Sequence, residues 1–383
     1  MSAPALGEDV AQRQEESSMA TEWRDAANVL CVRLDNLGDV LMSTPAMRAL
    51  HAAVPGRRLT MLASPSGAAL RPHLPFLERV IAYDAPWVKN ARDDGPAADL
   101  ALIERLRNGA FDAAVIFTVY SQSPLPAAMA CRLAGIPRVL AHCRENPYRL
   151  LSDWVKEGGP EDDGRHEVQR QLDLVAAVGA RADDARLAFE VLPADRSAVR
   201  ALLASHGVPD ASECIVVHPG ASAPSRRYPP TSFAQAMRLL AAQTGAPLVV
   251  TGGPGERDLV AAVCATAAVP AIDLAGRLSL GQLGALLAEA SVLVSNNSGP
   301  VHIAAAVGTP VVDLYALTNP QHAPWQVPHR LLYRDVSCKY CYRSVCVAGH
   351  HACLAGVDPA EVAHAAGELR AARLSPGGRR DAA

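Results

Sequence analysis

Short apolar segments alternate with longer segments of helical periodicity along most of this chain, and no other feature constrains its fold as strongly. The first series of predicted strands is residues 29–34, 59–63, 80–83 and 113–117. The second series is residues 215–218, 248–251, 272–274, 292–295 and 311–314. Strands that alternate with helices form a parallel sheet that helices cover on both faces. The sequence therefore predicts an α/β protein with two doubly wound, Rossmann-like domains that face each other.

The size and charge of the chain narrow its class. The 383 residues suit two domains of ordinary size. A net charge of −3 gives no broad attraction to nucleic acid, and we expect no nucleic-acid partner. No apolar run is as long as a membrane span, and residues 1–27 lack the apolar core of a signal peptide. We therefore expect a cytoplasmic protein, placed at most at the inner face of the inner membrane, with peripheral membrane contact only.

Composition changes along the chain predict its organisation. A polar stretch at 157–165 is expected to be flexible, and the two termini are polar or rich in Arg, Gly and Ala. The predicted order is a disordered tail at 1–27, a Rossmann-like domain at 28–185, a second one at 186–336, a cysteine-rich segment with a C-terminal helix at 337–370, and a disordered tail at 371–383.

The turn after the first predicted strand carries Asn36, Gly38 and Asp39. Gly38 permits a tight turn, and Asp39 stands near the start of the following helix, where a carboxylate can accept a proton from an attacking hydroxyl. The structural alternative, which spacing alone favours, is that Asp39 simply caps the helix, as Asp does well. The turn lacks the G-x-G-x-x-G pattern, which argues against a nicotinamide dinucleotide site.

Three further loops carry the small and charged residues that suit a diphosphate. Each follows a predicted strand, where backbone N–H groups and an arginine can bind phosphate oxygens. Solvated loops, ordinary turns and a buried histidine are the plain structural alternatives for the same residues. The candidate ligands are Gly220, Ala221, Ser222 and Arg226 in the first loop, Gly252, Gly253 and Glu256 in the second, and Asn297, Ser298, Gly299 and His302 in the third.

Four of the nine cysteines are clustered, at Cys338, Cys341, Cys346 and Cys353. Four thiolates can close a tetrahedral zinc or iron site, but the spacing after the first pair is irregular. Either a structural metal site or a metal-free loop packed on the domain fits the pattern. The other five cysteines stand in apolar surroundings and are expected to be core residues.

Taken in order, four segments resemble the glycosyltransferase family of bacterial ADP-heptose:lipopolysaccharide heptosyltransferases. They are VLCVRLDNLGDVLMSTPAMRAL, HPGASAPSRRYP, TGGPGE and VSNNSGPVHIAAAVGTPVVDLYALTNP. The resemblance covers about residues 29–362. It implies the GT-B fold, with the acceptor on the N-terminal domain, the nucleotide sugar on the C-terminal domain and the active site in the cleft between them. Cysteine-rich segments recur in relatives, and some protein-glycosylating relatives use one to hold iron.

The resemblance also assigns roles to residues. The family's catalytic aspartate falls on Asp39, its basic diphosphate ligand on Arg226 and its acidic ribose ligand on Glu256. The family's Asp-Ser/Thr-Gly becomes Asn297-Ser298-Gly299, which removes one negative charge near the donor. Asn36 and Gly38 are placed on the acceptor side, and no cofactor is required for catalysis.

The function that follows is an inverting transfer of a heptose or related sugar from an ADP-sugar to a hydroxyl of a lipopolysaccharide core or other glycan or glycolipid. Alternatives are a protein or natural-product heptosyltransferase, a sugar-nucleotide epimerase on the same fold, and an inactive nucleotide-sugar-binding module. The loops at 120–126 and 142–148 are expected to choose the acceptor.

Overall fold

The structure is a computed structural model that describes residues 23–89, 91–92, 94–158 and 165–375. The chain divides into two compact units, one ending at Ala185 and the other beginning at Arg186. Each unit contains one six-stranded sheet in which all neighbouring strands are parallel. The predicted α/β class with two doubly wound sheets is confirmed.

The first unit has the strand order β3-β2-β1-β4-β5-β6. Its strands are β1 Asn28–Arg33, β2 Arg58–Ala63, β3 Arg79–Ala82, β4 Ala113–Ile116, β5 Arg138–Cys143 and β6 Asp153–Lys156. Its helices are α1 Leu37–Ala53, α2 Pro65–Ala68, α3 Pro96–Asn108, α4 Leu125–Leu133 and α5 Glu167–Ala176, with a 3₁₀ turn at Arg71–His73.

The second unit has the order β12-β11-β10-β7-β8-β9, in which β10 lies between β7 and β11. Its strands are β7 Ile215–His218, β8 Leu248–Val250, β9 Ala271–Asp273, β10 Val292–Asn296, β11 Val311–Leu314 and β12 His329–Leu332. Its helices are α6 Pro193–Ser205, α7 Pro230–Thr244, α8 Arg257–Ala267, α9 Leu280–Glu289, α10 Gly299–Ala306, α11 Ala352–Ala355 and α12 Pro359–Leu374. Short 3₁₀ turns occur at Ala211–Glu213, Pro224–Arg226 and Pro254–Glu256.

Strand β1 shows why these segments form the centre of a sheet. Leu30 and Val32 point to one face, where they pack in an apolar cluster with residues of β4, α3 and α4. Arg33 belongs to the other face and is fully buried. A strand buried on both faces is an almost continuous apolar run, and a charge inside such a run needs partners. The partners of Arg33 are described below.

Three strands were not predicted, namely β5, β6 and β12, and the expectation that residues 311–314 close the second series is wrong. Strand β6 (DWVK) and strand β12 (HRLL) are edge strands, half-exposed and partly polar, so they lack the apolar run that marks a central strand. Strand β5 (RVLAHC) is buried and was overlooked.

Parts of both predicted tails belong to described, packed structure. Trp23 and Ala26 are buried, and the Arg57 guanidinium donates hydrogen bonds to both of their carbonyls, so 23–27 is packed structure. Residues 1–22 lie outside the described residues. At the other end α12 continues to Leu374, so the tail predicted from 371 does not begin there, and 376–383 lie outside the described residues.

The stretch predicted to be flexible at 157–165 is anchored at its start, because the Glu157 carboxylate pairs with the buried Arg170. Residues 159–164 lie outside the described residues. Within the described part of the chain, no helix combines the length and the apolar character that a membrane crossing needs.

Candidate active site

Asp39 lies in the first turn of α1, directly after β1. Asn36 is the N-cap residue, and its backbone N–H donates to Asp39 Oδ2 at 3.2 Å. The other oxygen, Oδ1, lies 3.6 Å from Nη2 of Arg33, and the side chain is 13% exposed. The capping alternative is therefore realised, and the carboxylate that caps the helix also keeps access to solvent. Gly38 is buried and is the second residue of α1, so it has helical conformation and the prediction that it forms a tight turn is wrong.

A buried ionic cluster lies on the protein side of the Asp39 carboxylate. The Arg33 guanidinium lies 3.2 Å from Asp35 Oδ2 and 3.1 Å from Glu167 Oε1, and neither Arg33 nor Glu167 is exposed. Burial raises the pKa of Asp35 to about 6, although the charge of Arg33 opposes the shift. Gln122 donates to Asp35 Oδ1 at 2.5 Å. The sequence analysis predicted no role for Arg33 or Glu167. A charged residue within an apolar strand is the feature of the sequence that could have indicated Arg33.

A cavity of about 250 Å³ opens beside this cluster in the first unit. The ends of β1 and β4, the loop after β4 and Trp87 line it, and Gln122 is one of the lining residues. The two loops expected to choose the acceptor contact each other, since the Arg144 guanidinium stacks on the Tyr120 ring at 4.7 Å and Ser123 Oγ donates to Glu145 Oε1 at 2.6 Å. These loops therefore form one continuous surface next to the cavity.

In the second unit Asn296 joins the ends of the first candidate donor loop. Its amide nitrogen donates to the carbonyl of Pro219 at 2.8 Å, and its Oδ1 accepts from the backbone N–H of Tyr228 at 2.9 Å. Asn296 is completely buried at the end of β10. Asn296 was not predicted as part of the site, since the resemblance points to its neighbour Asn297 and only the fold shows that Asn296 contacts the loop.

The Glu256 carboxylate connects two of the predicted donor loops. Its Oε2 accepts from the backbone N–H of Gly253 at 2.7 Å and lies 3.7 Å from Nε2 of His218. Its Oε1 lies against Gly220, where a Cβ atom would be only 2.1 Å away. Glycine is required at 220 if the carboxylate is to keep this place. Burial lowers the pKa of the His218 imidazole, and the neighbouring Glu256 charge partly opposes that shift.

Asn297 contacts a buried carboxylate, Asp313 on β11, and the charge of Arg226 acts on the same group. The Asn297 amide donates to Asp313 Oδ2 at 2.9 Å and to the carbonyl of His322 at 2.9 Å. Burial raises the pKa of Asp313 to about 8, while the Asn297 hydrogen bond and the positive charge of Arg226 hold it lower. The structure thus places a carboxylate beside the residue at which the sequence pattern lost one, and Asp313 was not predicted as part of the site.

The remaining predicted ligands occupy the same edge of the second sheet. Ser298 is the N-cap of α10, but Pro300 has no N–H and Val301 N–H bonds to Ser298 O at 3.0 Å, so this helix start offers fewer donors than predicted. Ser222 is exposed and His302 is buried. The carbonyls of Ala221 and Gly252 accept hydrogen bonds from Arg227 and Gly276, and Gly299 begins α10.

The four clustered cysteines do not form a metal site in this structure. Cys338 and Cys341 are exposed and Cys346 and Cys353 half-buried, around a cavity of about 280 Å³. Among the described residues, no group of three or more His, Cys, Asp or Glu side chains has an arrangement that could hold a metal ion. The structural zinc or iron predicted as one possibility therefore has no support from the geometry.

Parallel sheets of this topology bind nucleotides and their conjugates at the carboxyl ends of their strands. Both units place their candidate residues at that edge, after β1 in the first unit and after β7, β8 and β10 in the second. Two Rossmann-like units with these features are the units of the GT-B fold, which is the fold of a large class of glycosyltransferases.

The comparisons with known proteins agree with this class. The family model for glycosyltransferase family 9 (heptosyltransferase) matches residues 100–352. The chain belongs to glycosyltransferase family 9, and it is a glycosyltransferase. The resemblance inferred from the four sequence segments is thereby confirmed.

Individual relatives are distant in sequence and similar in structure. Lipopolysaccharide heptosyltransferase 3 of Escherichia coli is 25% identical over 302 residues, which are 76% of this chain and 83% of the relative. The crystal structure of the family 9 glycosyl transferase from Veillonella parvula has a TM-score of 0.75 at 22% identity and covers 90% of this chain and 97% of that one. E. coli ADP-heptose LPS heptosyltransferase II has a TM-score of 0.71 at 21% identity, with 91% and 100% covered.

Proposed function

We propose that this enzyme transfers a heptose or a related sugar from an ADP-sugar to a hydroxyl group of a lipopolysaccharide core or another glycan, with inversion at the anomeric carbon. The names of the relatives support the donor and the acceptor class, since one is a lipopolysaccharide heptosyltransferase and another an ADP-heptose heptosyltransferase. We further propose that it acts in the cytoplasm, with at most peripheral membrane contact.

The observation that carries the proposal is that the Asp39 carboxylate is both oriented and partly exposed. The Asn36 N–H and the Arg33 guanidinium fix its two oxygens, yet 13% of the side chain is exposed. A general base needs a defined orientation and access to the substrate proton. The buried cluster of Arg33, Asp35 and Glu167 supplies the orientation without covering the carboxylate.

The proposed reaction is a single displacement. The acceptor oxygen forms a bond with the anomeric carbon while its proton passes to the Asp39 carboxylate. The bond between that carbon and the phosphate oxygen breaks, and ADP leaves with the electron pair. Charge grows on the leaving diphosphate, and a guanidinium placed beforehand stabilises it without reorganisation. We assign this role to Arg226, assisted by the backbone at Ser298 and Gly299.

The loops of the second unit suggest how the donor is held. Glu256 is fixed between Gly253 and Gly220, where we propose that it binds the ribose. Asn297 uses its amide on Asp313 and on a carbonyl, so we propose that it supports the loop rather than contacting the sugar. The predicted contacts of Ser222, Gly252 and His302 with the donor stay proposals.

The test uses the purified full chain with ADP-heptose and, as acceptors, heptose-deficient lipopolysaccharide cores. ADP release that depends on the acceptor, with an inverted anomeric configuration by NMR, is the expected result. An epimerised ADP-sugar formed without acceptor would favour the epimerase. A rise in melting temperature with ADP-heptose but no turnover with any acceptor would favour the inactive binding module. A melting-temperature response to other nucleotide sugars but not to ADP-sugars would refute the proposed nucleotide.

A further inference from the structure

The segment that carries the clustered cysteines, residues 338–353, holds the loop that contains Arg226. Ser225, the residue before Arg226, is 4% exposed and donates two hydrogen bonds to this cysteine segment. Its backbone N–H bonds to the carbonyl of Ser344 at 2.9 Å, and its Oγ bonds to the carbonyl of Arg343 at 2.7 Å. A buried donor that loses its acceptor incurs the cost of its desolvation, so both bonds favour one position of the loop.

The cysteine segment also binds the chain that follows β11. The backbone N–H of Tyr340 donates to the carbonyl of Leu317 at 2.6 Å, and that of Tyr342 donates to the carbonyl of Thr318 at 2.9 Å. Ser225 follows β7, and in the sheet β7 and β11 are the two neighbours of β10. The segment therefore ties together the loops on either side of the loop that follows β10, which contains Asn297, Ser298 and Gly299.

Arg226 directly follows the residue that makes this connection. It belongs to a 3₁₀ turn of three residues, closed on its amino side by a hydrogen bond from its N–H to Ala223 O at 2.9 Å. Its guanidinium is close enough to the buried Asp313 to lower the pKa of that carboxyl. The bonds of Ser225 therefore attach the backbone directly before Arg226 to the cysteine segment.

We propose that Ser225 is a positioning residue for donor binding: through its hydroxyl, the cysteine segment fixes the loop in the position from which Arg226 binds the diphosphate. The inference rests on the proposed function, because the role of Arg226 is part of it. It assigns to the cysteine segment a task that needs no metal, namely bracing the loops of the donor site.

The chain offers a matched control. Ser291 is also buried, and its Oγ donates to a backbone carbonyl, that of Cys214, at 2.6 Å. It stands before β10, at the amino ends of the strands, whereas Ser225 lies beyond their carboxyl ends. Ser225→Ala and Ser291→Ala remove the same kind of bond, so the two variants are expected to lose similar stability, and only the first is expected to lose donor affinity.

The experiment measures the dissociation constant of ADP by isothermal titration calorimetry in the full-length protein. We expect Ser225→Ala to weaken ADP binding about five- to tenfold, the worth of one buried hydrogen bond. Ser291→Ala should stay within about twofold of the wild type, and Ser225→Thr, which keeps the hydroxyl, should restore most of the affinity. In an Arg226→Ala background, Ser225→Ala should have almost no further effect, since it acts through Arg226.

The outcomes separate the inference from the proposed function. Wild-type affinity in Ser225→Ala, or an equal loss in both alanine variants, would overturn the positioning role and leave the proposed function intact. Failure of the wild type to bind ADP would overturn both. If Ser225→Ala does not fold, Ser225→Cys keeps the size with a weaker donor, and it should lie between the wild type and the loss predicted for alanine.

Discussion

Replacing Asp39 separates its structural role from its proposed chemical one. Two contacts of the carboxylate matter for this test, the 3.2 Å hydrogen bond that it accepts from Asn36 N–H and the 3.6 Å approach to Arg33. Asp39→Ala removes both contacts. Asp39→Asn keeps an oxygen that can accept from Asn36 N–H, but it removes the negative charge and the basicity. The two variants therefore differ in structure and are alike in chemistry.

The magnitudes follow from these contacts. Loss of a hydrogen bond to a charged acceptor costs about 1.5–3 kcal/mol, so Asp39→Ala should lower the free energy of unfolding by about that amount. Asp39→Asn should lose less, because its amide oxygen can still accept the hydrogen bond from Asn36 N–H. A general base contributes about 10²–10⁴ in rate, or roughly 3–5 kcal/mol of transition-state stabilisation. Both variants should lose that whole factor in kcat.

The assay is acceptor-dependent ADP release, with urea unfolding and ADP titration on the same preparations. We expect kcat to fall equally in both variants, stability to fall more in alanine, and the ADP dissociation constant to stay within about twofold of the wild type. Activity that follows stability instead, with Asp39→Asn retaining more than about a tenth of kcat, would refute the assignment of Asp39 as the base. Loss of ADP binding in either variant would contradict its separation from the donor.

Three further predictions concern the second unit. Burial raises the pKa of Asp313 to about 8 in the folded state, whereas its ordinary value is 3.8, so between these pH values the folded chain holds a proton that the unfolded chain has released. As pH rises from about 4 to 8, the wild type should therefore lose stability relative to Asp313→Asn, by up to about 1.4 kcal/mol per pH unit in urea unfolding. Parallel pH profiles of the two proteins would contradict the burial argument. Gly220→Ala should displace the Glu256 carboxylate, so its loss of ADP affinity should match that of Glu256→Ala and the double variant should lose no more; additive losses would refute the coupling. Arg226→Ala should weaken ADP binding at least tenfold by calorimetry, as expected when a charge-assisted contact with a diphosphate is lost. Arg227→Ala should weaken it less, because the Arg227 guanidinium donates to the carbonyl of Ala221. Equal effects of the two substitutions would contradict the assignment of the diphosphate contact to Arg226.

Much of the fold was predictable because its signals are local. The central strands of both sheets are apolar runs, and apart from β5 their bounds agree with the predictions within a residue or two, as at Ile215–His218 and Val311–Leu314. Two of the four edge strands, β6 and β12, were not predicted, since a strand with one partner and a solvent-exposed face need not be apolar. The position of Asp39 near the start of α1 was also visible, because helix caps obey short-range rules.

Local sequence patterns were enough to predict two series of strands and helices, polar loops after the strands, and a resemblance to one family of sugar transferases. Which side chains meet at these loops became known from the three-dimensional fold. Arg33 donates a hydrogen bond to Glu167, which is 134 residues away along the chain, and Asn297 donates one to Asp313 on the strand next to β10. Local patterns encode the conformation of a segment, whereas such pairs depend on strand order and register, which arise only when the whole unit packs.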